Sequence, residues 1–153
     1  MPTFTASKTP NGFTLVELMV VIFIIGLASA AVVMMTASPD RGVRNDAEQL
    51  AARVAALRDH AILQSRGMAV WVRPSGYGFD ARSDGVWRPL TEPPFASTNW
   101  KRGTVAQIGK GGQLRVVFDS TGIPSSAMQI GLKRGTASAS VDVSATGDVD
   151  VSR

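Results

Sequence analysis

The chain predicts an α+β fold: a long N-terminal helix, apolar in its first half and amphipathic in its second, packed on an antiparallel β domain of about eight strands. Three observations carry this. Leu18–Met35 runs without a charge. Leu50, Val54, Leu57 and Ala61 repeat at spacings of 4, 3 and 4, the stripe of an amphipathic helix. From Met68 onward, short alternating runs are separated by turn residues every 8–12 positions or so. The 153 residues leave roughly 118 beyond the apolar segment, enough for one domain. Cysteine is absent, so neither disulfides nor thiolate metal sites contribute. With 16 Lys and Arg against 12 Asp and Glu, the net charge of +4 is a mild bias, and a dedicated nucleic-acid role is not expected from it.

Residues 1–12, MPTFTASKTPNG, are polar with one base, Lys8. From Phe13 to Ala37 the sole charge is Glu17. A helix over Phe13–Met35 would reach about 34 Å at 1.5 Å per residue, against a hydrocarbon core of about 30 Å. Residues 13–36 are therefore expected to be a transmembrane helix. Gly26, Ala28, Ser29, Ala30 and Ala31 keep its second half slim, which permits close helix–helix approach in lipid. A secretory signal cut after Ala30 fits poorly, because the apolar run continues through Met35 and Glu17 heads it. The glutamate is the feature that demands a reason, since an ionised carboxylate in the bilayer centre costs roughly 2.5–3.5 kcal/mol on lenient scales.

Ser38-Pro39-Asp40-Arg41-Gly42 is expected to interrupt the helix. The amphipathic part then resumes from Asp46 to Gln64, with Ile62 beside the stripe and Gly67 as the stop, so that residues 37–67 continue into the soluble domain. Residues 68–153 form the β domain. Its expected strands are Met68–Val72, Tyr77–Phe79, Val86–Arg88, Thr104–Ile108, Leu114–Phe118, Met128–Leu132, Ala139–Val143 and Val149–Val151. Pro89–Gly103 is expected to be a long polar loop, and Gly109-Lys110-Gly111-Gly112 a hairpin turn. Trp71 and Trp87 are expected to anchor the core. Trp100, beside Lys101 and Arg102, is expected to be more exposed and to offer a partner contact.

Catalytic and metal chemistry find little support. His60 is the only histidine and is expected to be exposed on the helix, so no transition-metal site is expected. Ser125 and Ser126 lack a placed base. Gly109–Gly112 lacks the spacing of a phosphate loop. Asp142, Asp148 and Asp150 suggest a solvated strand face, and no calcium loop or cofactor is expected.

Gly12-Phe13-Thr14-Leu15-Val16-Glu17 resembles the processing site of type IV pilins and type II secretion pseudopilins. That resemblance implies a leader, residues 1–12, removed by a prepilin peptidase between Gly12 and Phe13, and N-methylation of Phe13. Glu17 would then sit near the new ammonium in the first turns of a helix, where the macrodipole favours a negative charge. In a staggered bundle it would meet the Phe13 ammonium of a neighbour, which implies a register role in assembly. The β half, through Leu50–Gly67, Val70–Val72, Gly85-Val86-Trp87, Leu114–Asp119 and the strands around Gly147, resembles the H-type minor pseudopilins of type II secretion and the related FimT/FimU-type minor pilins. The resemblance implies a non-enzymatic, single-pass inner-membrane subunit with a periplasmic C-terminal domain, assembled with other pseudopilins in a filament that supports export of folded proteins. The alternative is a minor pilin of a type IV pilus that binds DNA in uptake. Five bases, Lys101, Arg102, Lys110, Lys133 and Arg134, are the candidates for such binding, with Asp119, Asp142, Asp148 and Asp150 expected on neighbouring elements to oppose it. A periplasmic enzyme released by cleavage after Ala30 is a third possibility.

Overall fold

The computed structural model describes residues 14–35, 39–109 and 111–152. The chain divides into two compact units, Met1–Ala37 and Ser38–Arg153. Within the first, α1 spans Leu15–Met35. Its start is fixed by Thr14, whose Oγ1 accepts the amide N–H of Glu17 at 3.2 Å, the contact of an N-cap residue with the third helical position. Farther along, the Ser29 hydroxyl donates to the Ile25 carbonyl at 2.7 Å, so the helix satisfies its own polar side chain.

In the second unit, α2 spans Pro39–Leu63. Of the interruption expected over Ser38–Gly42, Ser38 lies outside the described residues, while Pro39 to Gly42 are helical. Pro39 takes the first helical position, where its missing N–H costs nothing, and Gly42 is helical. The glycine has a packing reason: a Cβ there would lie inside the guanidinium of Arg134. The buried stripe contains the four expected residues and extends toward the N-terminus through Ala47 and Val43. Ile62, expected beside it, is largely exposed and instead rests over Gly122. The stop also differs from expectation. Ser65, with φ 47°, occupies the left-handed position, while the Arg66 N–H reaches the Ala61 carbonyl and the Ser65 N–H that of Ile62. That is a Schellman motif closed by a serine two residues before Gly67.

Nine strands are found among the described residues, in two antiparallel sheets. The first has the order β3-β2-β1-β6, formed by Val86–Pro89, Gly76–Ser83, Met68–Arg73 and Leu114–Phe118. The short β4, Thr98–Asn99, pairs with the opening residues of β2 and accounts for the strand beyond the expected eight. The second sheet has the order β5-β7-β8-β9, formed by Thr104–Gln107, Met128–Arg134, Ala137–Val143 and Val149–Ser152. Because β5 and β6 belong to different sheets, they do not form the hairpin expected around Gly109-Lys110-Gly111-Gly112. One core joins everything: the α2 stripe, Met68, Val70, Val72, Phe79, Val116 and Phe118 from the first sheet, and Ile130, Leu132, Ala139, Val141 and Val143 from the second.

The tryptophans correct the sequence-based expectation. Strand parity puts Met68, Val70 and Val72 inside and Trp71 outside, where its ring covers Gly78 and lies 4.6 Å below the Arg73 guanidinium. Trp87 is half-buried on the same outer face, under Arg115 at 4.8 Å, and Arg115 pairs with Asp80 at 2.7 Å. These rings roof the sheet and do not fill the core. Trp100 is the one inside, 9% exposed. Its indole N–H donates to the Arg73 carbonyl at 3.1 Å and its ring packs 4.8 Å from that of Tyr77. A buried indole needs such an acceptor.

The roof yields a prediction. Gly78→Ala drives a methyl into the Trp71 ring, and such overpacking typically costs about 1–3 kcal/mol. Urea unfolding of residues 38–153 measures it. In a Trp71→Ala background the same change should cost almost nothing further, and simple additivity would refute the account.

Candidate assembly sites

Of the expected N-terminal site, Gly12 and Phe13 lie outside the described residues. Glu17 is described: it occupies the first turn of α1, exposed, with its amide held by Thr14. Thr14 is a residue that the sequence reading passed over, although Thr-x-x-Glu ahead of an apolar run is a capping-box signature. The cap fixes where the helix begins, and so fixes the height at which the carboxylate leaves it. Beyond Glu17 the described side chains of α1 are apolar apart from Ser29. Leu18, Met19, Val20, Ile22, Phe23, Ile24, Ile25 and Leu27 are all exposed, Phe23 at 68%. A helix that is hydrophobic all round is one meant to be covered, by lipid or by other helices. Among the described residues, no helix is long and apolar enough to cross a membrane.

The expected contact loop does not hold together as a site. Pro89–Gly103 folds onto the domain through β4, buried Phe95 and buried Trp100. Arg53 of α2 clamps it, donating to Thr98 Oγ1 at 2.6 Å. His60, expected to be exposed, is half-buried with its ring 5.0 Å from that of Phe95. Trp100 is thereby removed as a partner contact, whereas Lys101 and Arg102 remain exposed.

The strand register brings these two bases to others. Thr104 pairs with Arg134 and Val105 with Lys133, which places Lys101 and Arg102 beside the β7–β8 hairpin tip. Lys110 lies outside the described residues. The acids expected to oppose the bases are elsewhere. Asp142 pairs across from Gln129 and Asp150, at the far end of β7 and β8 from Lys133. Asp119 follows the end of β6, at the level where β1 begins, and Asp148 joins Arg58 near the other end of α2. Asp46 is buried at the basic end, accepting the Thr104 hydroxyl at 2.7 Å.

These features define a class: a capped apolar helix with one acidic residue at its head, joined in sequence to a helix-on-sheet domain, is a pilin-like assembly subunit. A model of the type II transport protein GspH matches residues 46–147, and one of the prokaryotic N-terminal methylation motif matches residues 8–33. The chain belongs to the GspH family, and the sequence reading as a minor pseudopilin of type II secretion is borne out. The fold is similar to that of the minor pseudopilin EpsH from the type 2 secretion system of Vibrio cholerae. One of its structures aligns at TM-score 0.62 and 14% identity over 74% of this chain and 97% of that one. Another aligns at 0.60 and 15% over 72% and 95%. The type IV minor pilin FimU of Pseudomonas aeruginosa aligns at 0.56 and 15% over 72% and 88%. No curated protein matches the chain in sequence. Motif and family make it a membrane-anchored, periplasm-facing protein that assembles with other pseudopilins in a filament.

The acidic end carries a pH signature. Asp119 Oδ1 accepts the Thr121 hydroxyl at 2.7 Å, the Thr121 N–H at 2.8 Å and the Ile123 N–H at 3.0 Å. The Thr121 hydroxyl, followed by the Ile123 and Thr121 amides, holds its carboxyl below the ordinary value. A depressed folded-state pKa contributes stability that is present above the unfolded value, about 3.9, and is lost as pH falls through the folded one. Asp119→Asn should therefore flatten the fall in thermal midpoint as pH drops from neutrality to below that value. Parallel curves for the two proteins would exclude this role.

Proposed function

We propose that the chain works by assembly alone, without catalysis, as a single-pass inner-membrane protein whose C-terminal domain lies in the periplasm. Residues 1–12 are its leader, prepilin peptidase cuts between Gly12 and Phe13, and Phe13 becomes the N-methylated terminus. Residues 13–36 hold the subunit in lipid and then in the filament core. The observation that carries this reading is α1 itself, with every described large apolar side chain exposed and Glu17 at a capped N-terminus. In lipid an unpaired carboxylate is costly, and pairing with the Phe13 ammonium of a neighbour offsets that cost at one axial stagger. Glu17 then selects the register of assembly, and the apolar surface supplies contact area without direction.

The similarity to FimU gives the alternative, a type IV minor pilin, its specific support. A DNA-uptake role would need the bases around Lys133 and Arg134 to bind phosphate, with an affinity that falls steeply with salt.

Two experiments test the main reading. Intact-mass analysis of the membrane-extracted protein should give a chain that begins at methylated Phe13, and Gly12→Leu should leave the leader attached. A chain that begins at Ala31 would defeat the anchor. Glu17→Leu should leave membrane insertion intact or improved, because a costly charge is gone, while crosslinking to other pseudopilins drops. Crosslinking at the unaltered level would show that register is set elsewhere.

A further inference from the structure

The bases at the β7–β8 end form one built cluster. The Arg134 side chain runs between two glycines: a Cβ on Gly42 would collide with its guanidinium, and one on Gly103 would touch its Nε at 3.5 Å. Gly103, at φ 90°, ends the turn closed by the Thr104 N–H on the Lys101 carbonyl at 3.0 Å. Arg41 precedes the first glycine, Arg102 precedes the second, and Lys133 precedes Arg134. Three separate segments thus deliver Arg41, Lys101, Arg102, Lys133 and Arg134 to one end of the domain. Among the described residues none of the five has an acidic side chain within ion-pair distance; Arg44, on the same turn of α2, is neutralised by Glu48 at 2.8 Å. Asp40 is the remaining exposed acid there, since Asp46 is buried. The opposite end carries Asp119, Asp142, Asp148 and Asp150, of which Asp148 pairs with Arg58 and Asp119 lies beside Arg66 and Arg82, so the unpaired bases of the Arg134 end have no equal cluster there.

The basic end is the one that carries Pro39, and only residues 36–38 separate it in sequence from the last residue of α1. We propose that this end is a docking face for anionic phospholipid headgroups, which holds the unassembled subunit's domain against the bilayer surface with its acidic end turned away. The proposal rests on the anchor reading above. A tethered domain needs little affinity of its own, because the tether raises the effective concentration of the bases at the surface, and their attraction is screened beyond about a Debye length, 8–10 Å at physiological salt. Each base near an anionic surface shifts the docked population by about fivefold. Duplex DNA would meet the same bases, but nothing holds DNA at this end, whereas the chain itself holds the membrane there.

The absence of cysteine allows single labels on the full chain. Thr136→Cys at the basic hairpin tip and Ala145→Cys at the acidic end each carry a fluorophore, with the protein reconstituted into vesicles that contain a headgroup-attached quencher. The Thr136 label should be quenched several-fold more in phosphatidylglycerol-containing vesicles than in phosphatidylcholine alone, and the Ala145 label equally in both. High salt should remove the difference in the unaltered protein, and Lys101→Glu/Arg102→Glu/Lys133→Glu should abolish it without changing the thermal midpoint. Equal quenching of the Thr136 label in the two vesicle types overturns the proposal. So does micromolar binding of duplex DNA that the triple variant loses while vesicle type has no effect; that result assigns the face to nucleic acid. Flotation with phosphatidylcholine vesicles in high salt reports the anchor separately, and its loss defeats the tether and the proposal together.

Discussion

One helix has to serve two sheets. Among the described residues of the second unit, the α2 stripe from Val43 to Ala61 is the helical surface against which the β domain buries its inner faces, and both sheets converge on it. Alanines alternate with larger residues along the stripe, so the backbone approaches closely at Ala47, Ala51 and Ala61 while Leu50, Val54 and Leu57 fill the spaces between. Even the helix glycine answers to this constraint, since Gly42 leaves the room that Arg134 takes. Substitutions that widen the stripe would push the sheets apart, and every strand pairing beyond them would feel the change.

Most of this was legible in the residues, and the errors have identifiable causes. The stripe at Leu50, Val54, Leu57 and Ala61 and the alternation of Met68–Arg73 encode burial directly, so helix and strand followed. The tryptophans were misplaced because ring size was weighed above parity. The alternation that puts Val70 and Val72 inside also puts Trp71 outside, and that signal was available in the sequence. Trp100 could not be placed in the same way, because its burial depends on the Arg73 carbonyl and Tyr77, contacts far away in sequence. Likewise the segment from Gly109 to Gly112 has the composition of a hairpin turn, and composition does not say which sheet the next strand joins.

The N-terminal site was legible in its spacing but not in its mechanics. Glu17 drew attention as a lone charge before an apolar run, whereas Thr14 did not, because a threonine there looks unremarkable until its hydroxyl is seen to hold the Glu17 amide. Convergence of the bases was similarly invisible: Lys101 and Lys133 come to the same end of the domain through the β5–β7 register, a property of topology and not of local pattern.

The strand edges constrain how such a subunit can polymerise. Strand β2 gives one half of its edge to β3 and the other half to β4, neither longer than four residues. Outside β6, Val117 exchanges hydrogen bonds with Ser125, and outside β5 the Ala106 N–H reaches the Pro74 carbonyl. On β9 the edge is four residues long and carries Asp150. Sheets trimmed in this way offer poor templates for another strand, even when copies are crowded together. Growth by cross-β stacking is thereby discouraged, in keeping with the proposal that one copy adds to the next through the exposed surface of α1.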